Sequence, residues 1–107
     1  MKMWQQGDVI GIAVSAIPDG AKRVAPSSRG LVLAEGEVTG HFHGIAAVPE
    51  VDLFEDTDGT LYLSVRKDAA TLRHQEHKEI EIPAGQYKIG RVVEIDPFEN
   101  EIRQVAD

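Results

Sequence analysis

The sequence predicts a small all-β protein, a single-domain antiparallel β-barrel or sandwich of roughly eight short strands. Short stretches rich in β-branched and aromatic residues recur along the chain, separated by turn signals of glycine, proline and aspartate. No window shows apolar residues at i, i+3, i+4 and i+7 over three helical turns. The 107 residues suit one domain with a single core, which we assign to residues 1–107.

The first part of the chain is predicted to hold two strands ahead of the first histidines. Residues 7–17 are rich in β-branched side chains and free of proline, so we expect a strand that bends at Gly11. A Pro-Asp-Gly turn follows at 18–20, because proline presets φ and glycine accepts a positive φ. Residues 31–34, Leu-Val-Leu-Ala, are typical of a short buried strand.

The second part is predicted to begin with a hairpin around the Asp-Thr-Asp-Gly turn at 56–59. The segments that we expect to be strands share alternating or β-branched patterns, and they are 51–55, 60–65, 69–74, 79–82 and 86–95. A Pro-Ala-Gly corner at 83–85 is expected to separate the last two. Residues 102–105 are expected to add a short strand or a turn of helix.

Composition excludes several classes of function. The absence of cysteine rules out disulfides and thiolate ligands, so any metal must be held by histidine and carboxylate. The net charge of −7 disfavours nucleic acid and anionic membranes as partners, because binding them relies on Lys and Arg. No apolar run approaches the roughly 18 residues of a membrane helix, and the start is too polar for a secretory signal. We therefore expect a cytoplasmic protein.

All four histidines stand in two short motifs, Gly-His-Phe-His-Gly and His-Gln-Glu-His. On a strand, side chains at i and i+2 point to the same side with Cα atoms about 6.6 Å apart, so His41 and His43 can converge on one ion. The other two, His74 and His77, share a face if the chain turns between them. Thirty residues separate the pairs, which allows neighbouring strands of an antiparallel barrel to bring them together.

The histidine motifs predict a site for one divalent transition metal, with zinc as the first expectation and nickel, copper or iron as alternatives. The predicted ligands are His41, His43, His74 and His77. Glu76 is predicted to be a further ligand, a group that orients an imidazole, or the acid/base of a metal-dependent hydrolase. Four protein ligands with no open position would instead make the site structural. Glu35 and Glu37 are expected to be surface residues near the first pair.

Two other interpretations remain open, and the sequence does not decide between an enzyme and a binding protein. In one, the histidines are exposed strand and loop residues, Phe42 supplies the core contact, and the protein is a metal-free barrel that binds a partner or a small ligand. In the other, it is a histidine-based phosphoesterase or nuclease without metal, although the net charge of −7 weakens the nuclease version. Self-association through an uncovered sheet edge is expected.

The chain resembles a family of small uncharacterised bacterial proteins through Thr-Gly-His-Phe-His at 39–43, His-Gln-Glu-His at 74–77 and Ile-Pro-Ala-Gly-Gln-Tyr at 82–87. That resemblance runs from Gln-Gly-Asp-Val, residues 6–9, to the end of the sequence, and implies that the histidines belong together without implying an activity. A second resemblance, to the metal-binding cupin barrels, rests on His-x-His and on Pro83-x-Gly85. Lys88 stands where the second cupin motif has a histidine, so this resemblance implies architecture only.

Overall fold

The computed structural model describes residues 3–36, 38–95 and 102–104, with side chains described for 3–36 and 38–92. These residues form the strands β1 Met3–Gln6, β2 Val9–Ala13, β3 Lys22–Arg23, β4 Leu31–Glu35, β5 Phe42–Ile45, β6 Val51–Glu55, β7 Leu61–Leu72, β8 Ile80–Arg91, β9 Val93–Ile95 and β10 Ile102–Gln104. The predicted all-β antiparallel class is confirmed. Within the described ranges no helix is long and apolar enough to cross a membrane.

Six strands form one open sheet in the order β1-β2-β8-β7-β6-β3, and every pairing in it is antiparallel. Strands β4 and β5 form a separate hairpin with an irregularity between Val32 and Ala34, and β9 pairs with β10. The hairpin meets the large sheet where Gly44 of β5 pairs with Arg73, the residue after β7. This junction is where the candidate site lies.

The hairpin and the large sheet enclose one hydrophobic core. Strands β4 and β6 both alternate between buried and less buried residues, which is the period of two that their sequences predicted. The core residues that the hairpin shares with the sheet include Leu31, Leu33, Ile45, Leu53, Leu63, Leu72 and Ile82. Burying each such aliphatic side chain stabilises the fold by about 1.5–3 kcal/mol, so this core holds the hairpin against the end of β7.

Strand β8 runs unbroken through the Pro-Ala-Gly segment, so the predicted corner there is wrong. Strand β2 covers only the part of β8 from Tyr87 to Arg91, and Pro83 therefore lies where no neighbour on that side requires an N–H. The Pro83 carbonyl instead accepts a hydrogen bond from the Tyr87 hydroxyl at 2.7 Å. Gly85 has a φ of 153°, a backbone conformation that residues with a side chain rarely adopt.

The two strands predicted at 60–65 and 69–74 are one strand, β7. The register with β8 shifts between Val65 and Ala69, which is a β-bulge that bends the strand without ending it. The polar residues 66–68, which separate the two predicted strands, therefore belong to the bulge. His74, predicted at the end of a strand, follows β7 and begins a bend.

The first strand was predicted too long, and two strands were missed. The segment 7–17 contains only β2, whereas β1 precedes it and pairs with it across Gly7, whose φ is 58°. Strand β1 was not predicted, because its buried residues, Trp4 and Gln6, alternate with Met3 and Gln5 rather than with charged residues. The Trp4 ring lies directly on Gly11, so a side chain there would clash and the glycine permits the packing. The two-residue β3 has no periodicity to detect.

Candidate functional site

Backbone pairing brings the two histidine motifs together. Gly44 and Arg73 exchange two hydrogen bonds, N–H to O in each direction, both of 2.9 Å. In an antiparallel pair the residues on either side of such a bridge also face each other. The residue before Gly44 is His43 and the residue after Arg73 is His74, so the bridge places one histidine of each motif opposite the other.

The second motif makes its own turn. Nδ1 of His74 accepts the backbone N–H groups of Glu76 at 3.1 Å and of His77 at 3.4 Å. The side-chain oxygen of Gln75 accepts the N–H of Phe42 at 2.8 Å and so ties the turn to β5. These bonds return His77 towards His74.

The four imidazoles, here called the imidazole cluster, lie within a few ångströms of one another. Ring centroids are 4.5 Å apart for His43 and His74, 4.6 Å for His74 and His77, 5.9 Å for His43 and His77, and 5.6 Å for His41 and His74. Two imidazoles on one tetrahedral ion, each with a bond of about 2.0–2.1 Å, have centroids roughly 5 Å apart. Three rings are therefore mutual neighbours, and His41 joins them through His74.

The ring nitrogens do not converge in this conformation. Among the side chains of 3–36 and 38–92, no group of three or more histidine, aspartate or glutamate residues is arranged to hold a metal ion. The rings of His43 and His77 are stacked with an interplanar angle of 16°, and the Nδ1 lone pair of His74 is occupied by backbone N–H groups. Binding one ion therefore requires rotation of at least one of these rings.

Two of the four imidazoles in the cluster are buried in the protein. His43 is 0% exposed and His74 is 8% exposed, while His41 and His77 are half-buried. The interpretation of the histidines as exposed strand residues is therefore wrong for His43. The Phe42 ring does not supply the core contact in its place, because it lies over Gly44 and carries the Arg29 guanidinium 4.8 Å from its centroid.

Gln6 determines which nitrogen of His43 carries a proton. The Gln6 side-chain N–H₂ donates to the carbonyls of Leu72 at 2.9 Å and Lys78 at 3.1 Å, which orients the amide. Its oxygen therefore faces Nδ1 of His43, 2.8 Å away, and must accept a hydrogen bond from it. His43 consequently has its proton on Nδ1, and Nε2 is the atom with a lone pair when the ring is neutral.

Asp8 places a buried carboxylate close to that nitrogen. Its side chain is 1% exposed, and Oδ1 lies 3.7 Å from Nε2 of His43. The other oxygen, Oδ2, accepts a hydrogen bond from Arg91, which also donates to the Glu35 carbonyl at 3.0 Å. Sequence reasoning missed Gln6 and Asp8, although two polar side chains at positions flanked by Trp4 and Val9 were a signal of burial.

Glu76, the predicted acid/base, lies at the rim of the cluster. Its side chain is 59% exposed, and Oε1 is 3.8 Å from Nδ1 of His41. That nitrogen is buried and has no hydrogen-bond partner in the described part of the chain. Glu35 forms a surface ion pair with both terminal nitrogens of Arg29, at 2.9 and 3.0 Å, which raises the pKa of the guanidinium. Glu37 lies outside the described residues.

A family model described as a domain of unknown function, DUF8820, matches residues 5–92. The chain belongs to this family. The DUF8820 match spans both histidine motifs, Gln6 and Asp8, and the family is an uncharacterised one, as the sequence resemblance implied. No curated protein and no solved structure matches the chain.

Proposed function

We propose that this DUF8820 protein binds one divalent transition metal ion through the imidazole cluster, with zinc as the preferred ion. The observation that carries the proposal is the packing of His74 and His77 around the fully buried His43, with ring centroids 4.5–5.9 Å apart. These distances bracket the roughly 5 Å expected of two imidazoles on one tetrahedral ion, so the rings can share an ion after one of them rotates.

The chemistry of the donors supports the same proposal. Imidazole nitrogen is a ligand of zinc, nickel, copper and iron, and a chain without cysteine has histidine and carboxylate as its donors for such ions. A bound ion would also give a partner to Nδ1 of His41, which is buried without a hydrogen bond in the described residues. His41, His43, His74 and His77 remain the proposed ligands.

A catalytic version of the site requires an open coordination position. If three protein groups bind the ion, a water molecule takes the fourth position and is activated as a nucleophile near pH 7. Glu76 is exposed to solvent and lies 3.8 Å from His41, where it can accept a proton from such a water. If all four imidazoles bind, the site is structural and Glu76 orients His41 instead.

The test is the metal content of tag-free protein by mass spectrometry, beside a variant with His41→Ala and His43→Ala. We expect about one metal per chain in the wild type and none in the variant. Glu55→Gln, an exposed substitution on β6, is the control and should keep its metal. A wild-type protein that is empty and takes up neither zinc nor nickel overturns the proposal.

The catalytic version has its own test. Zinc-loaded wild type and Glu76→Gln are compared on activated ester and phosphoester substrates. Loss of at least tenfold in kcat with unchanged zinc content supports an acid/base role for Glu76. Equal rates, or no hydrolysis above free zinc, leave metal binding as the function and exclude Glu76 as a catalytic residue for those substrates.

A metal-free ligand-binding module is the second candidate, favoured by a groove of about 360 Å³. Such a volume suits a small molecule, and its apolar lining includes Val24, Pro26, Leu31, Val48 and Pro49. This candidate predicts that an apolar fluorescent dye binds the wild type and the double histidine variant equally, and that Val48→Arg abolishes binding. It becomes the leading function if the protein takes up no metal.

A further inference from the structure

We propose that a cavity beside β7, here called the β7 cavity, binds a small apolar carboxylate about the size of benzoate. The cavity has a volume of about 170 Å³ and lies where β7 lacks a paired neighbour on one side. It is separate from the groove at Val24 and Pro26, although both are bordered by Val48 and Val51. The inference does not depend on metal binding by the imidazole cluster.

The first step is a gap in the pairing of β7. On the side that faces β6, the ladder ends where the Arg66 N–H donates to the Glu50 carbonyl at 2.8 Å. Pairing on that side resumes at Arg73, which bridges to β5. Between these points, in the part of the chain that the structure describes, residues 69–72 pair with β8 alone. The segment 45–49, which connects β5 to β6, passes this stretch without pairing, and the cavity is the space between them.

The second step is the backbone donor that the gap leaves. In an antiparallel ladder, successive residues direct their N–H and C=O groups to alternate neighbours. Arg73 directs its groups towards β5, so Thr71, two residues earlier, directs its own towards the gap. The Leu72 carbonyl agrees with this alternation, because it accepts a hydrogen bond from Gln6, which also donates to Lys78 just before β8. The Thr71 N–H is therefore a donor from which a carboxylate in the cavity can accept.

The third step is the charge of the lining. Lys67 and Arg73 line the cavity, and among the described residues around it there is no carboxylate, although the chain has a net charge of −7. Lys67 forms no ion pair with any residue of the described ranges. Arg73 lies 3.3 Å from Glu79, but these side chains are 72% and 59% exposed, and such a surface pair contributes little. Both cations are therefore available to an anion.

The fourth step is the apolar floor and its size. Ile45, Val51 and Ala70 line the cavity and are 3%, 2% and 4% exposed. An apolar cavity of roughly 150 Å³ accommodates benzene. The β7 cavity, at about 170 Å³, therefore holds one ring or a short aliphatic chain. A carboxylate on that ring or chain matches the cations and the backbone donor.

The test is a titration of the wild-type protein with benzoate, followed by NMR of backbone amides and methyl groups. We expect saturable shifts at Ile45, Ala70 and Thr71, which line the β7 cavity and not the other groove. Benzyl alcohol, which has a similar size and no charge, should bind at least tenfold more weakly. Equal binding of the two compounds overturns the role of the carboxylate.

Two further results of the same titration overturn the proposal. A low ligand efficiency still gives a compound of this size a Kd of about 10 mM, so the absence of saturable shifts at about 50 mM benzoate contradicts it. Shifts confined to Val24 and Pro26 place the compound in the other groove, and shifts confined to the imidazole cluster place it on a bound metal. In the last case the proposed function stands while this inference fails.

The charge is tested with Lys67→Gln combined with Arg73→Gln, both at exposed positions. We expect benzoate to bind at least tenfold more weakly and benzyl alcohol to bind as before. The control combines Lys22→Gln with Lys88→Gln, which changes the net charge equally at exposed positions outside the cavity, and should stay within about twofold of the wild type. Equal losses in the two double variants overturn the role of the cations.

The position is tested with two adjacent exposed alanines. Ala46 lines the β7 cavity, whereas Ala47 lines the other groove. Ala46→Phe should therefore fill the cavity and abolish the saturable benzoate shifts, and Ala47→Phe should leave them unchanged. Any other pattern in this pair overturns the placement of the ligand.

Discussion

At the scale of single residues, several glycines lie under the side chains of neighbours. The Trp4 ring covers Gly11, the Phe42 ring covers Gly44, and a side chain at Gly36 would meet His41. Glycine at these positions is required by close approach rather than by backbone conformation, since none has a positive φ. A side chain introduced at any of these glycines is expected to displace the neighbouring aromatic or imidazole ring.

Gly11→Ala should destabilise the protein by about 2–3 kcal/mol, because the new methyl group overlaps the Trp4 ring in a packed core. Urea unfolding followed by tryptophan fluorescence measures the loss. The control is Gly90→Ala on the adjacent strand, where the new methyl group would meet Ile10 at an ordinary 3.6 Å. Equal effects of the two substitutions would contradict the packing seen here.

Asp52 connects three strands through ion pairs with Arg23 and Arg66. The hydrogen bond from Arg66, with a further one from Arg23, lowers the pKa of this carboxyl. A lowered folded-state pKa contributes stability that is present above the unfolded value, about 3.9, and is lost as the pH falls through the folded value.

Asp52→Asn should therefore cost about 1 kcal/mol at pH 6 and progressively less as the pH falls below about 4. Chemical unfolding of wild type and variant across this range gives the difference. Glu55→Gln, on the same strand and exposed, serves as the comparison. A difference that stays constant down to pH 2 would show that the charge of Asp52 does not contribute.

At the scale of elements, the His-Gln-Glu-His turn and β5 are held together by few bonds. The pair between Gly44 and Arg73 and the bond from Phe42 to Gln75 connect them. The first is backbone only, so no side-chain change removes it. The second depends on the Gln75 side chain, so replacing Gln75 tests whether the turn stays against β5 without that bond.

Gln75→Ala should expose the amide of Phe42 and lower its protection from hydrogen exchange about fivefold, the equivalent of roughly 1 kcal/mol. Exchange measured by NMR at single residues detects this. Gln5→Ala removes only a local bond to the Gly7 carbonyl, so it should leave Phe42 unchanged. Unaltered hydrogen exchange of the Phe42 amide in Gln75→Ala would show that the backbone pair between Gly44 and Arg73 holds the turn against β5 without Gln75.

At the scale of the whole molecule, β1 is an edge of the six-stranded sheet, and β1 and the adjacent β2 each present an apolar side chain to solvent. Met3 and Ile12 are paired across β1 and β2 and are 54% and 49% exposed. Exposed edges with apolar flanks promote pairing with another chain. We predict that the protein self-associates through β1.

Light scattering after size exclusion should show a dimer or larger species that becomes monomeric when Met3→Lys and Ile12→Lys are combined, because charge at an edge opposes pairing. Val38→Lys changes a comparably exposed residue, 49%, away from β1 and should leave the assembly intact. A wild type that is monomeric at all concentrations contradicts the prediction.

Metal binding should couple to the stability of the whole fold, because the proposed ligands lie in and just before β5 and in the turn after β7. Zinc at about 100 times its Kd raises the unfolding free energy by about 2.7 kcal/mol if it binds the folded state alone. Thermal unfolding of metal-free protein with and without zinc measures this. His77→Ala, a half-buried position, should lose the increase, and magnesium should produce none.

Local pattern accounted for the strands that have a clear period. The hairpin at 51–65 and the buried strand at 31–34 were predicted because alternation and an Asp-Gly turn are local signals. The continuation of β8 through Pro83 was not predictable, because a proline is tolerated in a strand only where no neighbouring strand pairs with it on one side. That neighbour, β2, is at least seventy positions away in the chain.

The sequence by itself determined the all-β class and the two motifs that contain all four histidines, since these depend on composition and short spacing. Only the tertiary structure decided that His43 faces His74, because one backbone bridge between Gly44 and Arg73 sets that register. It also decided that Gln6 and Asp8 lie beside His43. Contacts between residues so distant in sequence depend on strand pairing, which no local pattern encodes.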